Sequence, residues 1–221
     1  GAREIRYGTR RDVDVRLLQA TVDPHTLSTL VEIALPNGTL SARILSPGRH
    51  LALNATAAAA LGWSLGLSAD QIAEGLSRYQ PVGMRMRVDS VGGVTVLNDA
   101  YNANPASMRA ALDTLGQLPG RRVALLGEML ELGGEEAAYH EQVIRQLAKL
   151  NLDLVGLSGP LMAAQAGLAR ELGVQVVSAE NATALAELLK GQINPGDVVL
   201  LKGSRGARME RALQCLPGEE A

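Results

Sequence analysis

Over the first 45 residues the apolar positions fall in short β-prone runs, at 3–7, 13–22, 27–35 and 40–45. Turn signals separate them, Asp23-Pro24 and then Pro36-Asn37-Gly38, the second suited to a tight hairpin. The pattern then turns helical. An Ala- and Leu-rich segment spans about 49–65 with Gly66 as its stop. A second helix starts from Ser68 as N-cap and runs through Gln71-Ile72-Ala73-Glu74 towards Tyr79. Gln80-Pro81-Val82-Gly83 breaks the pattern, which places a boundary between a domain of residues 1–84 and one of 85–221.

Beyond the break, short apolar strands alternate with helices. Strands are expected at 94–97, 123–126, 154–157, 174–177 and 198–201, and helices at 105–118, 135–150, 161–172, 183–190 and 207–216. Buried strands alternating with helices of this length predict an α/β fold with a mostly parallel, doubly wound sheet. The β-plus-helix segment before it reads as a partial unit of another kind.

Composition narrows the possibilities. Hydrophobic residues make up 47% of the 221, enough for real cores. No apolar run approaches the roughly 20 residues of a membrane span, and Arg3, Glu4 and Arg6 interrupt any leader pattern, so the expectation is a cytoplasmic protein. One cysteine, Cys215, and three scattered histidines do not make a metal site, and no metal ligand is expected in this chain. A net charge of −2 and 2% aromatic residues argue against nucleic-acid binding.

Ligands of open parallel sheets gather at the carboxyl ends of strands, so three loops carry the candidate chemistry. Asn98-Asp99-Ala100-Tyr101-Asn102-Ala103-Asn104-Pro105 follows the 94–97 strand. Its carboxylate suits a ribose hydroxyl pair, but the same loop also reads as a cap for the next helix, with Pro105 in the first turn. Gly127-Glu128-Met129-Leu130-Glu131-Leu132-Gly133 offers two carboxylates for a cationic amine or a metal, or is a surface loop pinned by Met129, Leu130 and Leu132. Lys202-Gly203-Ser204-Arg205-Gly206 combines close backbone approach with positive charge for phosphate or carboxylate. The phosphate-binding pattern G-x-x-x-x-G-K-S/T is met nowhere, and no G-x-G-x-x-G follows the first strand of the second domain, which disfavours a dehydrogenase. Earlier in the chain, Gly48-Arg49-His50 opens a helix carrying Asn54, and Arg85 stands at the break.

In this order the motifs resemble the Mur ligase family: Gly48-Arg49-His50…Asn54-Ala55, Pro81…Arg85-Met86, Asp99…Tyr101-Asn102-Ala103-Asn104-Pro105…Ser107-Met108, Gly127-Glu128-Met129…Glu131-Leu132-Gly133…His140, and Lys202-Gly203-Ser204-Arg205…Met209-Glu210. The resemblance runs from about residue 44 onward and more weakly before it. The Tyr101–Pro105 string matches the type that joins D-alanyl-D-alanine to UDP-N-acetylmuramoyl-tripeptide, rather than relatives that add Glu or diaminopimelate. It implies an acyl phosphate made with ATP and Mg2+ and attacked by the dipeptide amine, in peptidoglycan synthesis. Residues 1–84 would be the tail of a central ATPase domain and 85–221 a Rossmann-like C-terminal domain. The UDP-binding domain and the P-loop half would lie outside this chain, as would most groups holding ATP and Mg2+, leaving the piece inactive alone.

By position, the resemblance implies that Asn54, with His50, contacts adenine, although Leu51 stands where the family usually has Asn. Asp99 would hold the ribose and Arg85 would reach the phosphates. Tyr101, Asn102 and Asn104 would line the cleft for nucleotide and dipeptide. Lys202, Ser204 and Arg205 would meet substrate carboxylates, with Arg85 and Lys202 as the catalytic pair. Two other readings stay open: a non-catalytic nucleotide- or partner-binding module, and a related amide ligase of the folylpolyglutamate or cyanophycin synthetase type.

Overall fold

The computed structural model describes residues 4–218. The chain divides after Pro81 into two compact units.

The first unit is a four-stranded sheet, β1 (Tyr7–Gly8), β2 (Val15–Asp23), β3 (Ser28–Leu35) and β4 (Gly38–Ile44), in sequential order. β2, β3 and β4 form an antiparallel meander, and β1 pairs parallel to β2. The strand expected at 3–7 is corrected: among the described residues only Tyr7 and Gly8 pair, and Arg3 lies outside them. Two helices follow, α1 (Arg49–Ser64) and α2 (Ala69–Ser77). Ala52, Ala55, Thr56, Ala59 and Ala60 recur at helical spacing and are buried, so α1 lays a face of small side chains on the sheet. α2 starts as expected at Ser68, whose side chain and that of Gln71 form a capping box.

The second unit is a six-stranded sheet of β5 (Arg87–Val91), β6 (Val94–Asp99), β7 (Arg122–Leu126), β8 (Leu154–Ser158), β9 (Val176–Ala179) and β10 (Val198–Lys202), in the order β5-β6-β10-β7-β8-β9. All pairs are parallel except β5–β6, so the expected α/β sheet is what forms. β5 was not foreseen. Gly92 and Gly93, with φ of 54° and 75°, make the tight turn that folds it antiparallel onto β6.

Helices cover both faces. α3 (Pro105–Gly116) packs on β10 and β7, and α4 (Glu136–Leu147) packs on α3. α5 (Pro160–Ala163) and α6 (Ala166–Glu171) replace the single helix expected at 161–172. α7 (Ala182–Leu189) packs on the other face with a 3-10 segment, Met209–Cys215, where an α-helix was expected. Arg208 is left-handed (φ 49°) and stops any helix from running through 205–215. On this face Val96, Val123, Leu125, Val199 and Leu201 meet Leu185, Leu189, Met209 and Cys215. No helix among the described residues is long and apolar enough to cross a membrane.

Burial pushes the Cys215 thiol up to about 11 from its usual 9.0. A group whose folded value is raised stabilises the fold below its unfolded value and ceases to as pH climbs through the folded one. Urea titrations should therefore show about 2 kcal/mol of stability lost between pH 9 and 11 through this thiol. Cys215→Ala should lack that part of the decline; an identical decline in the variant contradicts the assignment.

Candidate functional site

In the first unit the buried Thr29 hydroxyl donates to Ser46 O (2.8 Å) and accepts from Gly48 N (2.9 Å), fixing the turn that launches α1. The His50 ring folds back over Gly48, where a Cβ would stand 2.5 Å from it. Asn54, one turn on, is exposed at the rim of an apolar pocket of about 380 Å3. Ala55 and Ala58 of α1 and Ile72, Leu76 and Tyr79 from α2 and just beyond it form its walls. Gln71 also borders it, with its side chain committed to Ser68 N at 2.9 Å.

In the second unit β10 lies between β6 and β7, and the chain leaves β6 and β10 toward opposite faces of the sheet. This is a switch point, where strand ends open a crevice. Parallel register sets Lys202 beside Asp99, on the same face. The Lys202 ammonium lies 2.6 Å from Asp99 Oδ2, 3.0 Å from Asn102 O and 3.4 Å from Asp99 O. Its side chain is 1% exposed and that of Asp99 16%. The other carboxylate oxygen, Asp99 Oδ1, accepts from Met86 N at 3.0 Å.

Met86 is buried and left-handed at φ 54°, a conformation that persists only where neighbours impose it. Tyr101 N donates to Met84 O at 3.0 Å, and the Arg85 guanidinium lies 4.1 Å above the Tyr101 ring. Residues 84–86 are thus docked on the loop after β6. Arg85 is exposed and has no hydrogen-bonded partner among the described residues, while Tyr101 is 45% exposed.

The remaining expected residues separate by what their side chains do. Asn102 is exposed, and its Oδ1 accepts from Ala103 N at 2.9 Å. Asn104 is the N-cap of α3, accepting from Ser107 N at 2.8 Å, with Pro105 in the first turn. Ser204 is buried; its Oγ accepts from Leu130 N at 2.9 Å and points to Ala103 O at 3.4 Å. Arg205 is 58% exposed and pairs with Glu210 at 2.7 Å. Burial alone would raise the Glu210 carboxyl, but the bond and charge of Arg205, with Arg211 beside it, hold it below its usual value.

The loop after β7 is built into the same frame. Gly127 N donates to Lys202 O (2.7 Å) and Ser204 N to Glu128 O (2.8 Å). A Cβ at Gly203 would meet Met209 Cγ at 2.8 Å and Gly127 Cα at 3.1 Å, so only glycine lets these two loops close up. One oxygen of the Glu128 carboxylate is engaged within the protein, accepting from Leu161 N at 2.7 Å. Two contributors were not assigned a site role from sequence. One is the Met86 backbone, for which the sequence carries no signal. The other is His140, fully buried, whose Nε2 accepts from Met129 N (3.0 Å), so that Nδ1 carries the proton given to Glu136 O (2.7 Å). A lone histidine within a helix pattern offers no hint of that pin.

Residues 84–205 match the family described as Mur ligase, glutamate ligase domain. The chain is 35% identical over 200 residues to the UDP-N-acetylmuramoyl-tripeptide--D-alanyl-D-alanine ligase of Escherichia coli, covering 87% of this chain and 43% of that one. Among solved structures it is similar to MurF from Acinetobacter baumannii, with a TM-score of 0.81 and 30% identity over 94% of this chain and 45% of that one. It is also similar to MurF ligase from Thermotoga maritima in complex with ADP, with a TM-score of 0.78 and 25% identity over 95% of this chain and 47% of that one. The chain therefore spans less than half the length of each of these relatives. With the match extending over more than half of its residues, this chain belongs to the Mur ligase family.

Proposed function

We propose that the chain is the C-terminal portion of an ATP-dependent, cytoplasmic ligase that joins D-alanyl-D-alanine to UDP-N-acetylmuramoyl-tripeptide in peptidoglycan synthesis. Residues 1–84 are the tail of the central nucleotide domain and 85–221 the C-terminal domain. The observation that carries the reading is the cluster on the β6 strand end. Arg85 holds its donors uncommitted above Tyr101, within one loop of the Asp99 carboxylate. The names of the relatives and the ADP in one of them support the same assignment.

Within each unit taken by itself, some of the residues present suit a part of a nucleotide. Asp99 keeps lone pairs beyond its two partners and can accept ribose hydroxyls. Arg85 offers a planar fork of donors for phosphate oxygens. Asn54, at the rim of an apolar pocket, suits a nucleobase edge. Bound ATP would supply the phosphoryl group that activates the tripeptide carboxylate. The chain's own part is to position the nucleotide and to neutralise developing charge, with Tyr101 and Asn102 orienting the acceptor amine. Phosphate cradling and most Mg2+ ligation fall to a P-loop half, since that pattern is absent from these 221 residues. Alone, the piece does not turn over ATP.

Co-expression with a polypeptide carrying the family's UDP-sugar domain and P-loop half tests this. Phosphate release should then require ATP, the UDP-linked tripeptide and D-alanyl-D-alanine together. Silence with every dipeptide tried would sink the assignment. Nucleotide binding without phosphate release under the same conditions favours the alternative, a non-catalytic binding module.

A further inference from the structure

Lys202 and Ser204 stand at the tip of the central strand, where a ligand contact is the first expectation. Their side chains turn inward instead. An ammonium has three donors, and three protein acceptors surround that of Lys202: Asp99 Oδ2, Asn102 O and Asp99 O. Almost none of the side chain reaches solvent. The Ser204 hydroxyl is likewise taken up between Leu130 N and Ala103 O. The two side chains tie the loop after β6 to β10 and to the loop after β7.

We infer that Lys202 is a positioning residue rather than a substrate contact. It fixes the Asp99 carboxylate and the Asn102 carbonyl, and through Asp99 it holds the Met86 amide. Ser204 does the same for Leu130 and Ala103. The consequence for catalysis rests on the ligase reading: if Asp99 meets the nucleotide, Lys202 governs the KM for ATP and leaves kcat nearly unchanged.

Two measurements test this. In the 221-residue chain, Lys202→Met should speed hydrogen exchange at the Met86 amide by about tenfold or more, because the acceptor of that amide loses its charged anchor. The Leu130 amide, held by Ser204, should respond to Ser204→Ala and not to Lys202→Met. Met86 protection unchanged in Lys202→Met overturns the inference, as does equal loss at both amides. In the complemented enzyme, Lys202→Met and Asp99→Asn should each raise the KM for ATP, and the double variant should be no worse than the larger single effect. Losses that fall on kcat and multiply in the double variant overturn it. If Lys202→Met does not fold alone, Asp99→Asn is compared with the double variant, in which neither charge is left buried. Equality supports the positioning role and a further tenfold loss overturns it. Expected exchange behaviour beside an enzyme inactive with every dipeptide removes the ligase reading and leaves the positioning role standing.

Discussion

Asp99→Ala should lower the unfolding free energy of the second unit by about 3–5 kcal/mol, the cost of leaving a buried charge without its partner. The charge is that of Lys202, whose side chain is 1% exposed and which loses its 2.6 Å bond to the carboxylate. The Met86 amide loses its acceptor in the same step, although Met86 sits in a backbone conformation that needs support. Against a typical total of about 5–15 kcal/mol, the loss is large. Hydrogen exchange at the β6 and β10 amides measures it in that unit alone. Asp99→Asn keeps one acceptor oxygen, for only one of these two donors, and should still lose less than Asp99→Ala. Lys202→Met added to it should recover stability, because no charge is then buried unpaired. An Asp99→Ala variant within about 1 kcal/mol of the parent would contradict the pairing, since even one unsatisfied buried donor costs about that much. There is a practical consequence. Loss of ligase activity in Asp99→Ala does not by itself report a lost ribose contact, because the same change unsettles the frame around it.

Arg85→Ala should behave in the opposite way. Its guanidinium is exposed, and its contact with Tyr101 is a cation–π stack worth about 0.5–1 kcal/mol at an open site, so unfolding should barely change. In the complemented enzyme the rate of phosphate release should fall by about 10²–10³-fold, the usual loss when one donor to a developing charge is removed. Arg85→Lys should restore only part of it, since an ammonium does not reproduce the planar fork. Steady-state rates together with urea unfolding of the same variant give both numbers. A variant that retains full rate removes Arg85 from the phosphate contacts. One that loses rate and stability together points to a structural role instead.

Local order was legible wherever neighbouring residues decide it. Ser68 with Gln71, and Asn104 with Ser107 and Pro105, are caps whose partners lie three residues away or fewer, and both helices start where those residues predict. The Val- and Leu-rich strands β7, β8 and β10 read as buried on both faces because they are apolar without alternation. The β5 hairpin was missed although Gly92-Gly93 is a turn signal, because Arg87-Val88-Asp89-Ser90 looks too polar for a strand. β5 sits at the edge of the sheet, where polar side chains are tolerated.

For the candidate site the division is sharper. The order of motifs along the chain placed Asp99, Tyr101, Lys202 and Ser204 in strand-end loops and pointed to the family. What each side chain does there depends on register. Lys202 meets Asp99 because β10 inserts between β6 and β7, bringing together residues 103 apart in sequence and aligning them on one face. Periodicity within a strand says which residues share a face, but not which strand will lie alongside. That choice is made by the packing of the whole sheet, and it turns the lysine inward to hold the carboxylate while leaving Arg85 exposed.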